Sequence, residues 1–194
     1  MINLITKPTE LSLKLISEYV TEGDTAVDAT AGNGHDTLAL ARLVGRTGKV
    51  YAFDVQESAI ENTKALLEKE GFFDRCELIL GSHHLMVDSI PECCRGKIAA
   101  VVFNLGYLPN GDKSVTTHAM TTLPAVEQAL ELIRPGGVVA VTMYGGHLRG
   151  AAEKEELLRF SEELPSKIYH AAYISLINQK NLPPELLLIT KKQK

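Results

Sequence analysis

One stretch near the start of the chain decides the fold: Val27-Asp28-Ala29-Thr30-Ala31-Gly32-Asn33-Gly34-His35-Asp36. Its first residues end a strand predicted for 25–29, and a segment with helical periodicity, predicted for 36–44, follows the glycines. Glycines at a strand-to-helix turn let the backbone approach a ligand closely. The stretch therefore predicts the first βα unit of a parallel sheet, with a ligand site at its turn.

A second strand, predicted for 49–54, ends in a carboxylate. Asp54 lies 20 residues after Gly34, the position from which a carboxylate can accept hydrogen bonds from both hydroxyls of a ribose. Strand, turn, helix, strand and acid in this register predict a cofactor that contains a nucleoside.

The charges around the turn discriminate between cofactors. A dinucleotide would place its pyrophosphate beside Asp28 and Asp36, which would repel it, and Thr37 stands where the dinucleotide fingerprint has its third glycine. S-adenosylmethionine brings a sulfonium and an ammonium instead, so the same carboxylates become favourable. A turn-capping role for Asp28 without a ligand would not account for Asp54. The residues expected to contact S-adenosylmethionine here are Asp28, Gly32, Asn33, Gly34, Asp36, Asp54 and Gln56. Asn104, at the end of the fourth predicted strand, is expected to contact it as well.

The rest of the chain continues the alternation of strands and helices that is typical of an α/β fold. Further strands are predicted for 77–80, 98–104 and 138–143, and further helices for 57–70, 122–133 and 151–163. A first helix precedes them, with an apolar face of Leu11, Leu15, Ile16, Tyr19 and Val20. Gly71 and Pro135-Gly136-Gly137 are expected to end helices. Two final strands, 168–177 and 186–190, predict a C-terminal antiparallel hairpin, and 1–194 is interpreted as one domain.

Composition narrows the function classes. The 194 residues carry 20 Lys plus Arg against 24 Asp plus Glu, a net charge of −4. This acidic charge argues against a protein that coats nucleic acid or anionic lipid by its bulk charge. The three cysteines, with Cys93 and Cys94 adjacent, do not form a disulfide framework, so a reducing compartment, the cytoplasm, is expected. No apolar run approaches the length of a membrane span.

Two histidines follow the third predicted strand. Ser82 and His83 are candidates for the edge of an adenine ring, and His84 could equally cap a helix. Structural zinc sites use spaced pairs such as Cys-x-x-Cys, which this sequence lacks. No metal site is therefore expected.

The reacting end of the site is expected at the end of the fourth strand, in Asn104-Leu105-Gly106-Tyr107-Leu108-Pro109. The Asn104 side-chain carbonyl can accept a hydrogen bond from a substrate N–H, and Tyr107 can cover the reacting group. The motif has the same ends as the Asn-Pro-Pro-Tyr tetrad of amino-group methyltransferases, with Leu105 and Gly106 in place of the prolines. The alternative interpretation leaves Asn104 bonded to backbone and Tyr107 packed.

Loops expected at the same edge supply the remaining candidates. Asp112 and His147 could receive a proton from the substrate, and His147 could equally hold a turn. Lys113, Arg149 and Lys180 could follow phosphates of an RNA, although single basic residues on loops are usually just solvated.

These motifs, with Gly111-Asp112-Lys113 and Tyr144-Gly145-Gly146-His147, resemble the family known as putative rRNA methylases over essentially the whole chain. The resemblance implies the Rossmann-like class I methyltransferase fold: a mostly parallel seven-stranded sheet with helices on both faces. The family in turn resembles the enzymes that methylate the aminomethyl group of 5-aminomethyl-2-thiouridine at the tRNA wobble position. The resemblance therefore implies transfer from S-adenosylmethionine to the anticodon stem-loop of a tRNA.

Three other functions stay open from the residues: methylation of rRNA, methylation of a small amine, and binding of cofactor or RNA without catalysis. The joint presence of Asp54 and Asn104 speaks against the last. A small enzyme has little surface for gripping RNA, which favours a homodimer.

Overall fold

The structure is a computed structural model that describes residues 7–106, 116–146 and 148–193. The strands are β1 (Thr25–Asp28), β2 (Lys49–Asp54), β3 (Cys76–Leu80), β4 (Ile98–Asn104), β5 (Ile133–Met143), β6 (Tyr169–Ile174) and β7 (Glu185–Lys191). The helices are α1 (Pro8–Ile16), α2 (His35–Leu43), α3 (Glu57–Glu70), α4 (Met86–Ser89), α5 (Ala119–Leu132) and α6 (Leu148–Glu163). Short 3-10 turns span Phe73–Arg75, His83–Leu85 and Glu92–Cys94.

All seven strands form one sheet in the order β3-β2-β1-β4-β5-β7-β6. Strands β1 to β5 pair in parallel, whereas β7 pairs antiparallel with both β5 and β6. This confirms the predicted class I methyltransferase fold with its C-terminal antiparallel hairpin. The carboxyl ends of β1, β2, β4 and β5 therefore meet at one edge, where open α/β sheets bind their ligands.

The core lies on both faces of the sheet. β4 is buried along its length up to Asn104, because helices cover both of its faces. Phe53 and Phe103 are fully buried in the cluster beneath α5 and α6. On the other face of the sheet, the core includes Leu40 of α2 and Leu67 of α3. Truncating either phenylalanine to Ala would cost about 3 to 5 kcal/mol of stability.

Most predicted boundaries lie within three residues of the observed ones, and two differ by more. α1 ends at Ile16 rather than at Val20. More consequentially, β5 begins at Ile133, where a helix had been expected, and Pro135-Gly136-Gly137 lies inside this strand. A Cβ on Gly137 would approach the carbonyl oxygens of Ile98 and Ala99 to 3.0 and 3.1 Å. The glycine is thus required by a close approach of β4 at a register shift.

Within the described ranges, no helix has both the length and the apolar character needed to cross a membrane.

Candidate cofactor and acceptor site

A cleft of about 1380 Å³ opens at the carboxyl edge of the sheet. Eight of the predicted site residues lie in its wall: Gly32, Asp36, Asp54, Gln56, Ser82, His83, Asn104 and Arg149. The sheet order brings these together from segments far apart in sequence. Among the predicted residues, Tyr107, Asp112, Lys113 and His147 lie outside the described part of the chain.

Asp28 lies beneath the glycine turn and outside the cleft wall. Its carboxylate is fully buried, where it accepts hydrogen bonds from the Thr30 N–H at 3.1 Å and the Thr37 hydroxyl at 2.6 Å. Burial, and then the negative charge of Asp36, raises the pKa of Asp28 to about 7. These contacts are those of a residue that holds the turn in shape.

The two glycines of the turn have different surroundings. Gly32, at φ +55°, lies in the cleft wall. Gly34, at φ +81°, is buried, and a Cβ on it would lie 2.9 Å from Cα of Thr63 on α3. Asn33 also faces α3, because its side-chain oxygen accepts a hydrogen bond from Asn62 at 3.1 Å. Asn33 and Gly34 therefore dock the turn on α3, and Gly32 faces the cleft.

Asp54 is fixed in orientation at the end of β2. Its Oδ2 accepts the Gly32 N–H and its Oδ1 accepts the Gln56 N–H, both at 2.9 Å. Each oxygen keeps a further lone pair, so the half-buried carboxylate can still accept two hydroxyl hydrogen bonds. The backbone thus orients this acid before any ligand binds.

Asn104 is held at the end of β4 by two contacts. Its backbone N–H donates to the Thr30 hydroxyl at 2.7 Å, and its side-chain amide donates to Oδ2 of Asp36 at 3.3 Å. Burial raises the pKa of Asp36, and the hydrogen bond from Asn104 opposes this rise. Because Nδ2 donates to Asp36, Oδ1 remains the acceptor of this amide.

His83 turns inward to the middle of the sheet. Its Nδ1 donates to the carbonyl of Ala29 at 3.0 Å, which fixes the tautomer and makes Nε2 an acceptor. Nε2 is buried and has no hydrogen-bond partner among the described residues. Desolvation lowers the pKa of His83 to about 4, so the ring is neutral at pH 7. Its edge packs on Phe103 at 5.7 Å between centroids.

Ser82 lies near Asp54. The preceding Gly81 donates its N–H to the Asp54 carbonyl at 2.8 Å. The Ser82 hydroxyl is paired with Nδ1 of His84 at 2.7 Å. Ser82 is therefore placed beside Asp54, whereas His83 is placed beside β1 and β4.

The basic candidates differ in position. Arg149 is exposed at the start of α6 and lines the cleft. Lys180 is exposed in the segment between β6 and β7, whose Leu182 reaches the cleft wall.

Sequence reasoning did not name several residues of the wall as site residues: His35, Thr117, His118 and Thr121. Tyr144 and Leu182 also line the wall, and they come from two loops that were expected at this edge. Tyr144 directly follows β5. Burial and the charge of Asp36 raise the pKa of Tyr144. The segment 116–118 follows a long connection after β4, and its sequence carries no comparable signal.

The described residues contain no cluster of three or more His, Cys, Asp or Glu side chains suited to a metal ion. Cys76 is buried in β3, Cys93 is exposed and Cys94 is half-buried, and none of the three lines the cleft.

The fold and this edge agree with a family match. Residues 50–190 match the family described as "Putative rRNA methylase". The chain belongs to this family. It is a class I methyltransferase of the S-adenosylmethionine-dependent type, as the resemblance in its motifs implied.

Individual relatives cover nearly the whole chain. A chloroplastic tRNA (mnm(5)s(2)U34)-methyltransferase of Arabidopsis thaliana is 37% identical over an aligned length of 201 residues. The alignment covers 96% of this chain and 70% of that protein. The crystal structure of an rRNA methylase homologue from Clostridium thermocellum has 43% identity and a TM-score of 0.91, covering 94% of this chain and 96% of that one. A Streptococcus mutans methyltransferase homologue in complex with SAH has 36% identity and a TM-score of 0.85, covering 98% and 99%.

Proposed function

We propose that this protein transfers a methyl group from S-adenosylmethionine to the aminomethyl nitrogen of 5-aminomethyl-2-thiouridine at the wobble position of a tRNA. The observation that carries the proposal is the Asn104 amide, which the structure holds between Asp36 of the glycine turn and the open cleft. The name of the Arabidopsis relative specifies mnm(5)s(2)U34, which is the methylated form that this transfer would produce, and so supports the choice of substrate.

The chemistry of the cleft wall fits the methyl donor. Asp54 presents an oriented carboxylate to a pair of ribose hydroxyls, and the half-buried Asp36 presents negative charge to a cationic group. His83 contributes to this wall, with its Nε2 acceptor buried behind the cleft surface. When bound, S-adenosylmethionine supplies a methyl group on a sulfonium, which is already an activated leaving group. Asp28, Asn33 and Gly34 support this wall from behind.

The protein's task is then to align the acceptor nitrogen. Oδ1 of Asn104 accepts a hydrogen bond from the amine N–H, and Tyr107 covers the reacting group. Such alignment can supply several kcal/mol of the barrier. The amine must be neutral to react, and its proton passes to water or to a group such as Asp112 or His147. The cysteines take no part, since no covalent intermediate is needed for transfer to nitrogen.

Local charge holds the RNA in spite of the acidic total. Arg149 at the cleft mouth and Lys180 between β6 and β7 contact phosphates of the anticodon stem-loop. Lys113, which lies outside the described residues, is proposed from the sequence for the same role. A cytoplasmic location and a homodimer stay predictions from the sequence.

Nucleoside mass spectrometry tests the substrate. tRNA from cells lacking this gene is incubated with the enzyme and methyl donor, digested and analysed. The expected result is loss of 5-aminomethyl-2-thiouridine and gain of its N-methyl form. The Asn104→Ala variant serves as the catalytic control. An unchanged nucleoside profile with active, donor-binding enzyme contradicts the proposal.

The family description favours rRNA as the second candidate. The same assay with purified ribosomal RNA separates the two, because methyl incorporation into rRNA alone would identify that substrate. Donor turnover with free amines but without stimulation by any RNA would indicate a small-molecule acceptor.

A further inference from the structure

A buried carboxylate behind the cleft is linked to the loop that follows β4. Glu153 of α6 is only 4% exposed and is not part of the cleft wall. It accepts hydrogen bonds from two threonine hydroxyls: Thr117 to Oε2 at 3.0 Å and Thr122 to Oε1 at 2.5 Å. A buried carboxylate needs hydrogen-bond donors of this kind, because burial removes the water that would otherwise stabilise its charge.

Thr117 connects this carboxylate to the end of β4. Its hydroxyl oxygen accepts the Gly106 N–H at 2.9 Å, and its own N–H donates to the Gly106 carbonyl at 3.0 Å. Both residues lie in the cleft wall. The two ends of the connection between β4 and α5 are therefore fastened at one point, and Glu153 fixes the hydroxyl at that point.

The fastened point is two residues from Asn104. Leu105 donates its N–H to the Thr142 carbonyl at 3.0 Å, so the strand end continues in register up to Gly106. A shift of the Gly106 backbone would therefore be passed to Asn104 on one side and to the start of the Tyr107 segment on the other.

We propose that Glu153 is a positioning residue of the acceptor side, acting through Thr117 and Gly106 on Asn104. This rests on the proposed function of Asn104. It does not involve the methyl-donor half of the cleft, because Asp54 and Gly32 hold each other by a separate hydrogen bond.

The chain provides its own matched control. Thr122 donates to the same carboxylate, but it is fully buried inside α5 and has no place in the cleft wall. Thr117→Val and Thr122→Val each remove one hydroxyl from Glu153, and only the first breaks the link to Gly106. Thr117→Ser keeps the hydroxyl and serves as the rescue variant.

The experiment measures kcat, KM for the RNA, donor Kd and melting temperature for Thr117→Val, Thr117→Ser, Thr122→Val and Glu153→Gln. Thr117→Val should lower kcat roughly 10- to 100-fold, the scale expected for a small misplacement of reacting groups, with donor Kd unchanged. Thr117→Ser and Thr122→Val should keep kcat near the parent value. Adding Glu153→Gln to Thr117→Val should lower kcat little further, since both act along one path.

Hydrogen exchange supplies a readout that does not depend on the substrate. Peptides covering 104–106 and 116–118 should exchange faster in Thr117→Val and Glu153→Gln than in Thr122→Val, while the glycine turn is unchanged. If the parent enzyme fails to methylate tRNA, the proposed function is contradicted. The hydrogen-exchange rates still test whether Glu153 and Thr117 hold the Gly106 backbone. Equal effects of the two valine variants on kcat and exchange, or a weaker donor Kd in Thr117→Val, would overturn the role of Glu153.

Discussion

The side-chain amide of Asn104 donates a hydrogen bond of 3.3 Å to Oδ2 of Asp36, joining the end of β4 to the first turn of α2. The residue that we propose to face the acceptor is therefore oriented by a carboxylate next to the glycine turn. Together with the hydrogen bond from the Asn104 N–H to the Thr30 hydroxyl, this contact links the two halves of the cleft. Donor binding and turnover must therefore be measured independently to assign the effect of a change to one half.

Replacing Asn104 by Ala should lower kcat strongly and change donor affinity little, because the amide oxygen that aligns the amine is removed. Kinetics with saturating donor, together with calorimetry, measure the two effects. Gln193→Ala, at an exposed amide beside Gly136 near the start of β5 and outside the cleft wall, is the control. Full activity in Asn104→Ala would contradict the proposed mechanism.

Replacing Asp54 by Ala should weaken S-adenosylmethionine binding by about 1 to 3 kcal/mol, because ribose hydroxyls lose their acceptor in a partly buried site. Two backbone donors, those of Gly32 and Gln56, also lose their partner. Titration calorimetry gives the affinity, with Asp74→Ala as an exposed carboxylate outside the cleft for comparison. An unchanged Kd in the Asp54 variant is the contrary outcome.

The pKa of Asp28 predicts a pH dependence of stability. This pKa is raised to about 7 in the folded state, so between about pH 4 and 7 the folded chain holds a proton that the unfolded chain has released. The contribution of Asp28 to stability is therefore present below pH 4 and is lost as the pH rises to 7. The melting temperature of Asp28→Asn should fall less than that of the parent between pH 5 and 8. Parallel curves for the two proteins would show that Asp28 is ionised throughout.

Removing positive charge at the cleft mouth should weaken RNA binding. Arg149→Gln and Lys180→Gln should each flatten the dependence of log Kd on log salt by roughly one unit for each phosphate that the side chain neutralises in the parent protein. Lys167→Gln is the matched control, because Lys167 is exposed before β6, which runs parallel to β5, and so lies at the opposite edge of the sheet. Equal slopes in all three variants would place the RNA elsewhere.

A variant with Cys76→Ala, Cys93→Ser and Cys94→Ser should retain methyl transfer, since none of the three thiols lines the cleft. Burial raises the pKa of the Cys76 thiol to about 11, which further disfavours a thiolate. Turnover is compared with the parent after circular dichroism shows a folded protein. Loss of activity in a folded, donor-binding variant would indicate a covalent route.

The sequence predicts those parts of the fold that depend on local pattern. β2, β4 and α3 have their predicted bounds, because continuous apolar runs mark buried strands and Gly71, at φ +75°, ends α3. It does not predict which way a polar side chain turns. Asp28 and His83 carry the expected residue types, yet Asp28 faces the turn from below and His83 faces β1 and β4.

Long-range pairings lay beyond sequence reasoning for a similar reason. Thr117 and Glu153 are 36 residues apart, and neither belongs to a sequence motif that predicts their contact. The Pro135-Gly136-Gly137 turn signal was interpreted as a helix end because the close approach of β4 that requires Gly137 appears only in the folded sheet.

The strand order also suggests where recombination could divide the gene, namely between the codons for β3 and those for β4. Apart from Asn104, the described side chains proposed to hold the methyl donor come before residue 84, and those proposed to face the acceptor come after residue 103. The two portions meet along the β1–β4 ladder, where Ala26, Val27 and Asp28 pair with Ala100, Val101 and Val102. Recombination between the codons for β3 and β4 would keep one portion intact and import another. Such an exchange would replace the portion proposed to face the acceptor and keep the portion proposed to hold the donor, provided that the incoming β4 still fits this ladder.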